Sequence, residues 1–286
     1  MATPDKRRRD LDPELEFLVV DDFLRDLIGA RALPKGDGWV ETPARPLGDL
    51  NDLPSPCAMD LVPKGGLIVL QTYRGCPFTC SFCEWGALEV DAGLNLNQNA
   101  FRNLRAAADM TGFFATRSLI CEVYPAKVRQ EHIDFLASIH EPLVGIGLQS
   151  FDNEVLKHVE RSFDEARFET TLHQLREVAH VAIEIIMGLP GDTPENFRKS
   201  FERARSLPTA LRVYHCVVLP SALMVRAPAS DQLDYDPITL KMRSCLGWSE
   251  RELQTEMDYV TACAARDGGR AGEFFWVFPP PHLSRR

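Results

Sequence analysis

Apolar segments of strand length alternate with amphipathic segments along the chain from residue 66 onward. Five of the apolar runs are rich in Val, Ile and Leu and lack the polar alternation of a half-exposed strand. Strands buried on both faces and joined through helices predict a parallel sheet with right-handed crossovers, as in an α/β barrel or part of one. The predicted strands cover 67–73, 118–123, 143–148, 181–187 and 211–219, and the predicted helices cover 98–110, 129–139, 153–178, 193–206 and 249–266.

The segments before and after these strands have a different character. Residues 1–63 contain many Pro, Gly and Asp residues and one amphipathic stretch, which predicts little core of their own. Near the other end, Ser249 and Glu252 have the spacing of a helix capping box, and a short aromatic run follows at 274–278. We therefore expect a lead-in over 1–63, a barrel over 64–225 and a C-terminal helical extension over 226–286.

Composition places the chain among ordinary globular proteins. It has 286 residues, of which 45% are hydrophobic and 26% charged, enough for one large domain. No apolar stretch reaches the roughly 18–20 residues of a membrane helix, and no signal-peptide run follows the N-terminus, which predicts a cytoplasmic protein without membrane contact. The net charge of −9 argues against a general nucleic-acid binder, so we expect no nucleic-acid partner.

Three of the eight cysteines, Cys76, Cys80 and Cys83, lie within eight residues of one another. A disulfide framework is not expected in a cytoplasmic chain. The three follow the first predicted strand, and ligands in parallel α/β folds gather at the carboxyl ends of strands. Two other cysteines, Cys121 and Cys216, fall inside apolar runs and are expected to be buried.

Three kinds of centre could use these thiols. A structural zinc site needs four ligands, and no second Cys or His pair is present. A redox-active dithiol would explain Cys80 and Cys83 but not Cys76. A cubane iron–sulfur cluster held by three cysteines leaves one iron open for a small molecule, as a catalytic site requires.

Several segments resemble the radical S-adenosylmethionine (SAM) superfamily. The C-x3-C-x2-C spacing with Phe82 before the last cysteine is similar to its cluster motif. Residues 145–161, GIGLQSFDNEVLKHVER, resemble the fourth-strand segment shared by oxygen-independent coproporphyrinogen oxidases and cobalamin-dependent radical SAM enzymes, and residues 183–197 resemble their fifth-strand segment. The resemblance implies a partial (β/α)6-type barrel, a [4Fe-4S] cluster on the three cysteines and reductive cleavage of SAM to a 5′-deoxyadenosyl radical that acts on a small molecule.

The resemblance also implies a set of residues that contact SAM. Gln149 and Glu184 have independent support, because polar groups within apolar strands are costly unless they are paired, which favours a ligand role over a structural one. Arg161 could instead bind carbonyls of a last helical turn. The full set is Phe82, Glu122, Gln149, Ser150, Arg161 and Glu184.

The chemistry beyond SAM cleavage has three alternatives. Sequences after the cysteines and near 53–56 and 233–237 are similar to the cobalamin-dependent branch, which implies methyl transfer. A cobalamin domain needs well over about a hundred residues, more than the lead-in contains, so cobalamin is not a firm expectation. The alternatives are a cobalamin-free oxidoreductase and a non-catalytic protein that binds an iron–sulfur cluster or SAM. The implied partners are a small-molecule substrate and a flavodoxin- or ferredoxin-type electron donor.

One stretch departs from the family pattern. Only seven residues separate Cys83 from 91–93, the predicted end of a second strand, whereas a parallel crossover needs about a dozen or more. Either the first βα unit is missing, or the sequence joins segments that are not neighbours between 84 and 95. We favour the second explanation because both flanks resemble the family.

Three residues are candidates for contact with the substrate: Tyr214, His215 and Cys245.

Overall fold

The computed structural model describes residues 78–83 and 94–281, together with two short strands, β1 (Arg31–Ala32) and β2 (Val40–Glu41). The chain divides into two compact units, Met1–Leu70 and Gln71–Arg286. In the first unit β1 and β2 pair antiparallel. Some predictions lie outside the described residues. These are the predicted strand 67–73, Cys76 and most of the suspected break within 84–95, of which only residues 94 and 95 are described. The predicted three-part division of the chain stays a prediction.

The second unit contains a six-stranded sheet with four parallel strands followed by two antiparallel ones. Neighbouring parallel strands are consecutive in the sequence, as predicted, so the α/β class is confirmed. The last parallel strand ends at His215 rather than at 219, because the chain beyond Cys216 pairs with residues 240–242 instead of β5, with the Val218 amide donating to the carbonyl of Leu240 at 2.7 Å. The strands lie in the order β3 (Ile120–Val123), β4 (Leu143–Gln149), β5 (His180–Met187), β6 (Ala210–His215), β10 (Phe275–Phe278) and β9 (Arg270–Ala271).

Seven α-helices are present in the described residues, and five of them begin within a residue of the predicted positions. The single helix predicted over 153–178 is wrong. It is divided because Glu160 adopts a left-handed backbone with φ 56° and Asp164 caps a new helix by accepting from the amide of Arg167 at 3.0 Å. The helices are α1 (Gln98–Thr111), α2 (Gln130–Ala137), α3 (Asn153–His158), α4 (Glu165–Arg176), α5 (Pro194–Ser206), α6 (Leu223–Arg226) and α7 (Glu250–Arg266).

The two faces of the parallel sheet carry different side chains. On β4, Val144, Ile146 and Leu148 are buried in the hydrophobic core that also contains Phe197 and Phe201 of α5. Successive strand residues point to opposite faces, so Gly145, Gly147 and Gln149 line the other side. The helix-side face is therefore apolar, and the opposite face is left for small and polar residues.

The C-terminal extension was expected to be helical, but it also contains strands. It also contributes β9 and β10 to the main sheet and a small hairpin, β7 (Asp234–Tyr235) with β8 (Met242–Ser244). The aromatic run alternates along β10: Trp276 and Phe278 are buried, and the Trp276 indole donates to Thr261 of α7 at 2.8 Å. The predicted capping box of Ser249 and Glu252 is confirmed at the start of α7.

A tight turn in the extension contacts the loop that follows β5. Cys245 and Trp248 exchange backbone hydrogen bonds of 3.0 and 2.9 Å across the turn. Between them, Gly247 has φ 89°, and a Cβ atom built on it would lie 1.9 Å from the carbonyl oxygen of Asp192. The two segments thus meet backbone to backbone, which only a residue without a side chain allows.

Asp192 itself is a buried carboxyl group, 1% exposed. Its Oδ1 accepts from the Thr193 amide at 2.7 Å, and its Oδ2 has no hydrogen-bond partner among the described residues. Burial raises the pKa of Asp192 to about 7. An acid whose pKa is raised by folding binds its proton more tightly in the folded chain, so the free energy of unfolding falls as the pH rises from about 4 to about 7.

Asp192→Asn is expected to remove this pH dependence, because the amide stays neutral at every pH. Between about pH 5 and about pH 8 the wild-type protein should lose roughly 2 kcal/mol that the variant keeps, as measured by urea unfolding. Asp258→Asn, at an exposed position on α7, is the control and should follow the wild type. An equal decline in Asp192→Asn would contradict the assignment.

Candidate functional site

A row of polar side chains crosses the open face of the sheet. The register pairs Glu122 of β3 with Gly145 of β4, and it pairs Gly147 with Glu184 of β5, which is opposite Arg212 of β6. Glu184 is 6% exposed. Two predicted SAM contacts, Glu122 and Glu184, are therefore brought together on one face by parallel pairing.

Gly145 separates the two carboxylates of this row. A Cβ atom built on Gly145 would lie 3.2 Å from Cγ of Glu122 and 3.4 Å from Oε1 of Glu184. Burial raises the pKa of Glu122 above its ordinary value, and the charge of Glu184 raises it further. The arrangement offers carboxyl oxygens from two sides of a glycine, which suits a ligand with neighbouring hydroxyl groups.

Arg212 neutralises Glu184 and was missed by the sequence analysis. Its Nη1 donates to Oε1 of Glu184 at 2.8 Å, and the hydroxyl of Tyr214 donates to the same oxygen at 3.5 Å. The signal that could have identified it is the alternation of β6, in which Leu211 and Val213 are buried and Arg212 and Tyr214 are not. Tyr214, named as a candidate, thus lies on the same face.

Gln149 and Arg161 meet at the carboxyl end of β4. A register shift near Gly147 and a φ of 78° at Gln149 turn the Gln149 amide back, so that its Nε2 would be 2.8 Å from a Cβ atom on Gly147. Arg161 donates to the carbonyl of Gly147 and, through Nη1, to Sγ of Cys80 at 3.7 Å. The guanidinium also lies over the ring of Tyr124. Arg161 therefore contacts the strand and a predicted cluster ligand rather than only a helix end.

The cysteine loop, residues 78–83, is held against this end of the sheet. The amide of Ser81 donates to the carbonyl of Val159 at 3.0 Å, and the ring of Phe78 lies 4.2 Å from that of Tyr124. Phe82 is half-buried against the core. On the other side, Nη1 of Arg226 donates to the carbonyl of Cys80 at 3.2 Å. The loop is thus anchored by segments that follow β4 and β6.

The cysteines of this loop fit a thiolate-ligated metal centre. Cys80 and Cys83 are joined by a backbone hydrogen bond of 3.1 Å, and no described cysteine is in a disulfide. The Arg161 guanidinium lies beside Cys80, with Nη1 3.7 Å from Sγ. Within the described residues no three potential ligands form a metal-binding group, and the third predicted ligand, Cys76, lies outside them.

Other predicted residues point away from the open face. Ser150 is 1% exposed, lies 3.4 Å from the hydroxyl of Ser200 on α5 and accepts from the Asp152 amide at 3.1 Å. His215 is buried on the helix side, where its Nε2 pairs with the Met242 carbonyl at 2.8 Å, and burial lowers its pKa to about 4. The thiol of Cys245 is also buried, 3.6 Å from the carbonyl of Gly188. These three side chains support turns and the core.

The two cysteines expected in the core differ in exposure. Cys216 is buried, as predicted, and burial raises its pKa. Cys121 on β3 is half-buried, and burial raises its pKa to about 12. Neither thiol is ionised at neutral pH. As for membrane contact, none of the helices within the described residues has the length and apolarity to span a bilayer.

No protein-family profile matches the chain, whereas curated proteins match part of it. It is 32% identical over 124 residues to a tRNA-2-methylthio-N(6)-dimethylallyladenosine synthase of Corynebacterium efficiens, covering 41% of this chain and 23% of that protein. It is 30% identical over 122 residues to the oxygen-independent coproporphyrinogen III oxidase of Escherichia coli, covering 42% and 27%. The chain thus spans about a quarter of the length of these relatives.

Solved structures are similar over a larger part of the chain. The coproporphyrinogen III oxidase of Escherichia coli, described as a radical SAM enzyme, superposes with a TM-score of 0.50 at 22% identity, covering 66% of this chain and 42% of that one. A radical SAM methyltransferase from Kitasatospora setae superposes with a TM-score of 0.50 at 16% identity, covering 66% and 50%. At these identities the likeness concerns the fold.

Proposed function

We propose that this chain, which is similar to radical SAM enzymes in sequence and in fold, is an enzyme that binds a [4Fe-4S] cluster through Cys76, Cys80 and Cys83 and cleaves SAM reductively. The observation that supports this most directly is the contact of Arg161 with both Cys80 and the end of β4. It joins the cysteine loop to the polar row, so that a ligand on the cluster would lie over Glu122 and Glu184.

The proposed roles follow from the contacts of each residue. Arg161 holds the carboxylate of SAM beside the cluster, and the side-chain amide of Gln149 forms a hydrogen bond with SAM at the same end of β4. Glu122 and Glu184 accept from the ribose hydroxyls, on either side of Gly145. Phe82 contributes an apolar wall next to Cys83. Ser150, turned toward α5, holds the turn that carries Gln149 instead of contacting SAM.

The cluster, when bound, supplies the electron for homolytic cleavage of SAM, which yields the 5′-deoxyadenosyl radical that abstracts hydrogen from the substrate. The protein residues position the cluster and SAM and do not react themselves. The three cysteine thiolates would hold the cluster, and the charges of Arg161 and Glu184 would fix SAM in one orientation. We propose a small-molecule substrate and an electron donor of the flavodoxin or ferredoxin type.

Arg226→Gln is expected to weaken cluster retention, because the loop loses a charge-assisted hydrogen bond to the carbonyl of Cys80. Iron and sulfide per chain, measured after anaerobic reconstitution and desalting, should fall roughly 2- to 10-fold. Arg251→Gln, an exposed arginine on α7, is the matched control and should retain the wild-type content. Equal content in both variants would show that Arg226 does not anchor the loop.

One product assay tests the proposed function. Anaerobically reconstituted protein is incubated with SAM and a chemical reductant, and 5′-deoxyadenosine and methionine are measured. The enzyme should form both in equal amounts and only when reduced. A protein that only binds a cluster or SAM would form neither, and that result would overturn the proposal.

Two further arms of the assay address the chemistry after cleavage. Reconstitution with and without cobalamin separates the alternatives, because a cobalamin spectrum in the desalted protein favours methyl transfer and its absence favours a cobalamin-free oxidoreductase. Bulk tRNA is added in the second arm, since one matched relative is named for a tRNA modification. The net charge of −9 favours no binding, and tight tRNA binding would contradict a small-molecule substrate.

A further inference from the structure

Two polar residues of β6 have no role in the SAM contacts proposed above. Arg212 and Tyr214 lie on the open face, next to Glu184 and Ile186 of β5 on one side and Val277 and Phe275 of β10 on the other. They therefore lie two strands away from β4, the strand whose end Arg161 joins to the cysteine loop. If SAM binds as proposed above, a substrate that receives the radical would lie beyond SAM from the cluster, and we expect it on the side of these two residues.

The Arg212 guanidinium retains hydrogen-bonding capacity toward this face. Of its five N–H donors, Nη1 is used by Glu184 at 2.8 Å, and Tyr214 is its other hydrogen-bond partner among the described residues. The side chain is 33% exposed, so it is neither fully solvated nor sealed in the core. Phe275, 45% exposed and opposite Tyr214 in the register, adds an apolar rim.

The unused N–H donors of Arg212 favour an anion at this position. Glu122 and Glu184 are matched by Arg161 and Arg212 when all four are ionised. Arg212 donates to Glu184 through Nη1, so its remaining N–H groups have no carboxylate partner among the described residues. A planar guanidinium with free N–H groups binds a carboxylate in a bidentate geometry better than other anions of similar size.

We propose that Arg212 and Tyr214, with Phe275 at the rim, form the substrate subsite and that the substrate carries a carboxylate bound by Arg212. This inference depends on the proposed function for the position of SAM. A purely structural role is the competing explanation, in which Arg212 only neutralises Glu184. The two explanations differ in which ligand is lost when Arg212 is changed.

The test uses benzoate and benzamide as probes, since they share a ring and differ in the charged carboxylate. Their dissociation constants are measured by ligand-observed NMR on the reconstituted protein with SAM present, and SAM affinity is measured separately by equilibrium dialysis. Benzoate should bind at least roughly 10-fold more tightly than benzamide to the wild type. Equal binding of the two probes would overturn the proposal.

Three variants distinguish the explanations. Arg212→Gln should lose the preference for benzoate while SAM affinity changes less than roughly 3-fold, and Arg212→Lys should keep part of the preference. Arg117→Gln, at an exposed position, is the control. If Arg212→Gln and Arg212→Lys weaken SAM as much as benzoate, Arg212 positions Glu184 and the subsite is refuted. Failure of the proposed function would appear differently, as benzoate binding without formation of 5′-deoxyadenosine.

Discussion

Cys80→Ala is expected to abolish both the iron–sulfur cluster and the formation of 5′-deoxyadenosine. In the proposed site three thiolates would each hold an iron of the cubane, and within the described loop 78–83 the only other cysteine is Cys83, itself a proposed ligand. Iron, sulfide and the electron paramagnetic resonance signal of the reduced protein are the measurements, with the product assay beside them. Cys76→Ala and Cys83→Ala should give the same loss.

Cys263→Ala is the matched control for these variants. Cys263 is buried on α7, and its replacement leaves a small cavity but no missing ligand. We expect full cluster content with a modest loss of stability, roughly 1 kcal/mol. Retention of a [4Fe-4S] cluster in Cys80→Ala would refute the ligand assignment, whereas its loss in Cys263→Ala as well would show that the assay reports folding rather than ligation.

Gly247→Ala should be the most destabilising of the conservative changes considered. The added Cβ would overlap the carbonyl oxygen of Asp192, and alanine is strained at a φ of 89°. Backbone strain and the displacement of a packed loop together should cost roughly 3 kcal/mol or more, measured by urea unfolding. The turn and the loop after β5 cannot both keep their positions.

Gly268→Ala isolates the conformational part of this cost. Gly268 has φ 72°, and nothing lies within 4 Å of the Cβ position, so only the left-handed backbone is penalised. We expect a loss of about 1 kcal/mol. If Gly247→Ala cost no more than Gly268→Ala, the contact between the turn and Asp192 would be looser than the structure shows.

Much of the fold could be predicted because buried strands and helices show as apolar runs and periodic apolar positions in the sequence. The apolar runs gave four parallel strands in the right order, and the periodicity between them gave α1, α2, α5 and α7 nearly to the residue. The break between α3 and α4 was missed, because glutamate at position 160 is not a residue type that indicates a left-handed backbone. The antiparallel pairing of β10 with β6 was missed because pairing between distant strands leaves no pattern in either one.

The candidate site was predicted unevenly for a related reason. Glu184 interrupts an apolar strand, and that interruption indicated a ligand role, whereas Glu122 was implied only by the family resemblance. The strand register places both residues on one face. Arg212 was missed because its role depends on Glu184, which lies beside it on the adjacent strand and not near it in the sequence. Ser150 was expected beside Gln149, but adjacent residues of a strand point to opposite faces, and Ser150 contacts Ser200. Side-chain direction depends on the register shift near Gly147, which no local pattern shows.

The pairing of β10 with β6 also has a consequence for biosynthesis. Phe275 pairs with Tyr214, so the hydrogen-bonding edge of β6 is completed by a strand about sixty residues further along the chain. While the ribosome adds the intervening residues, that edge is exposed and able to pair with a strand of another nascent chain. Because α7 packs against both β9 and β10, formation of α7 brings β10 back to the sheet and shortens the search for its partner.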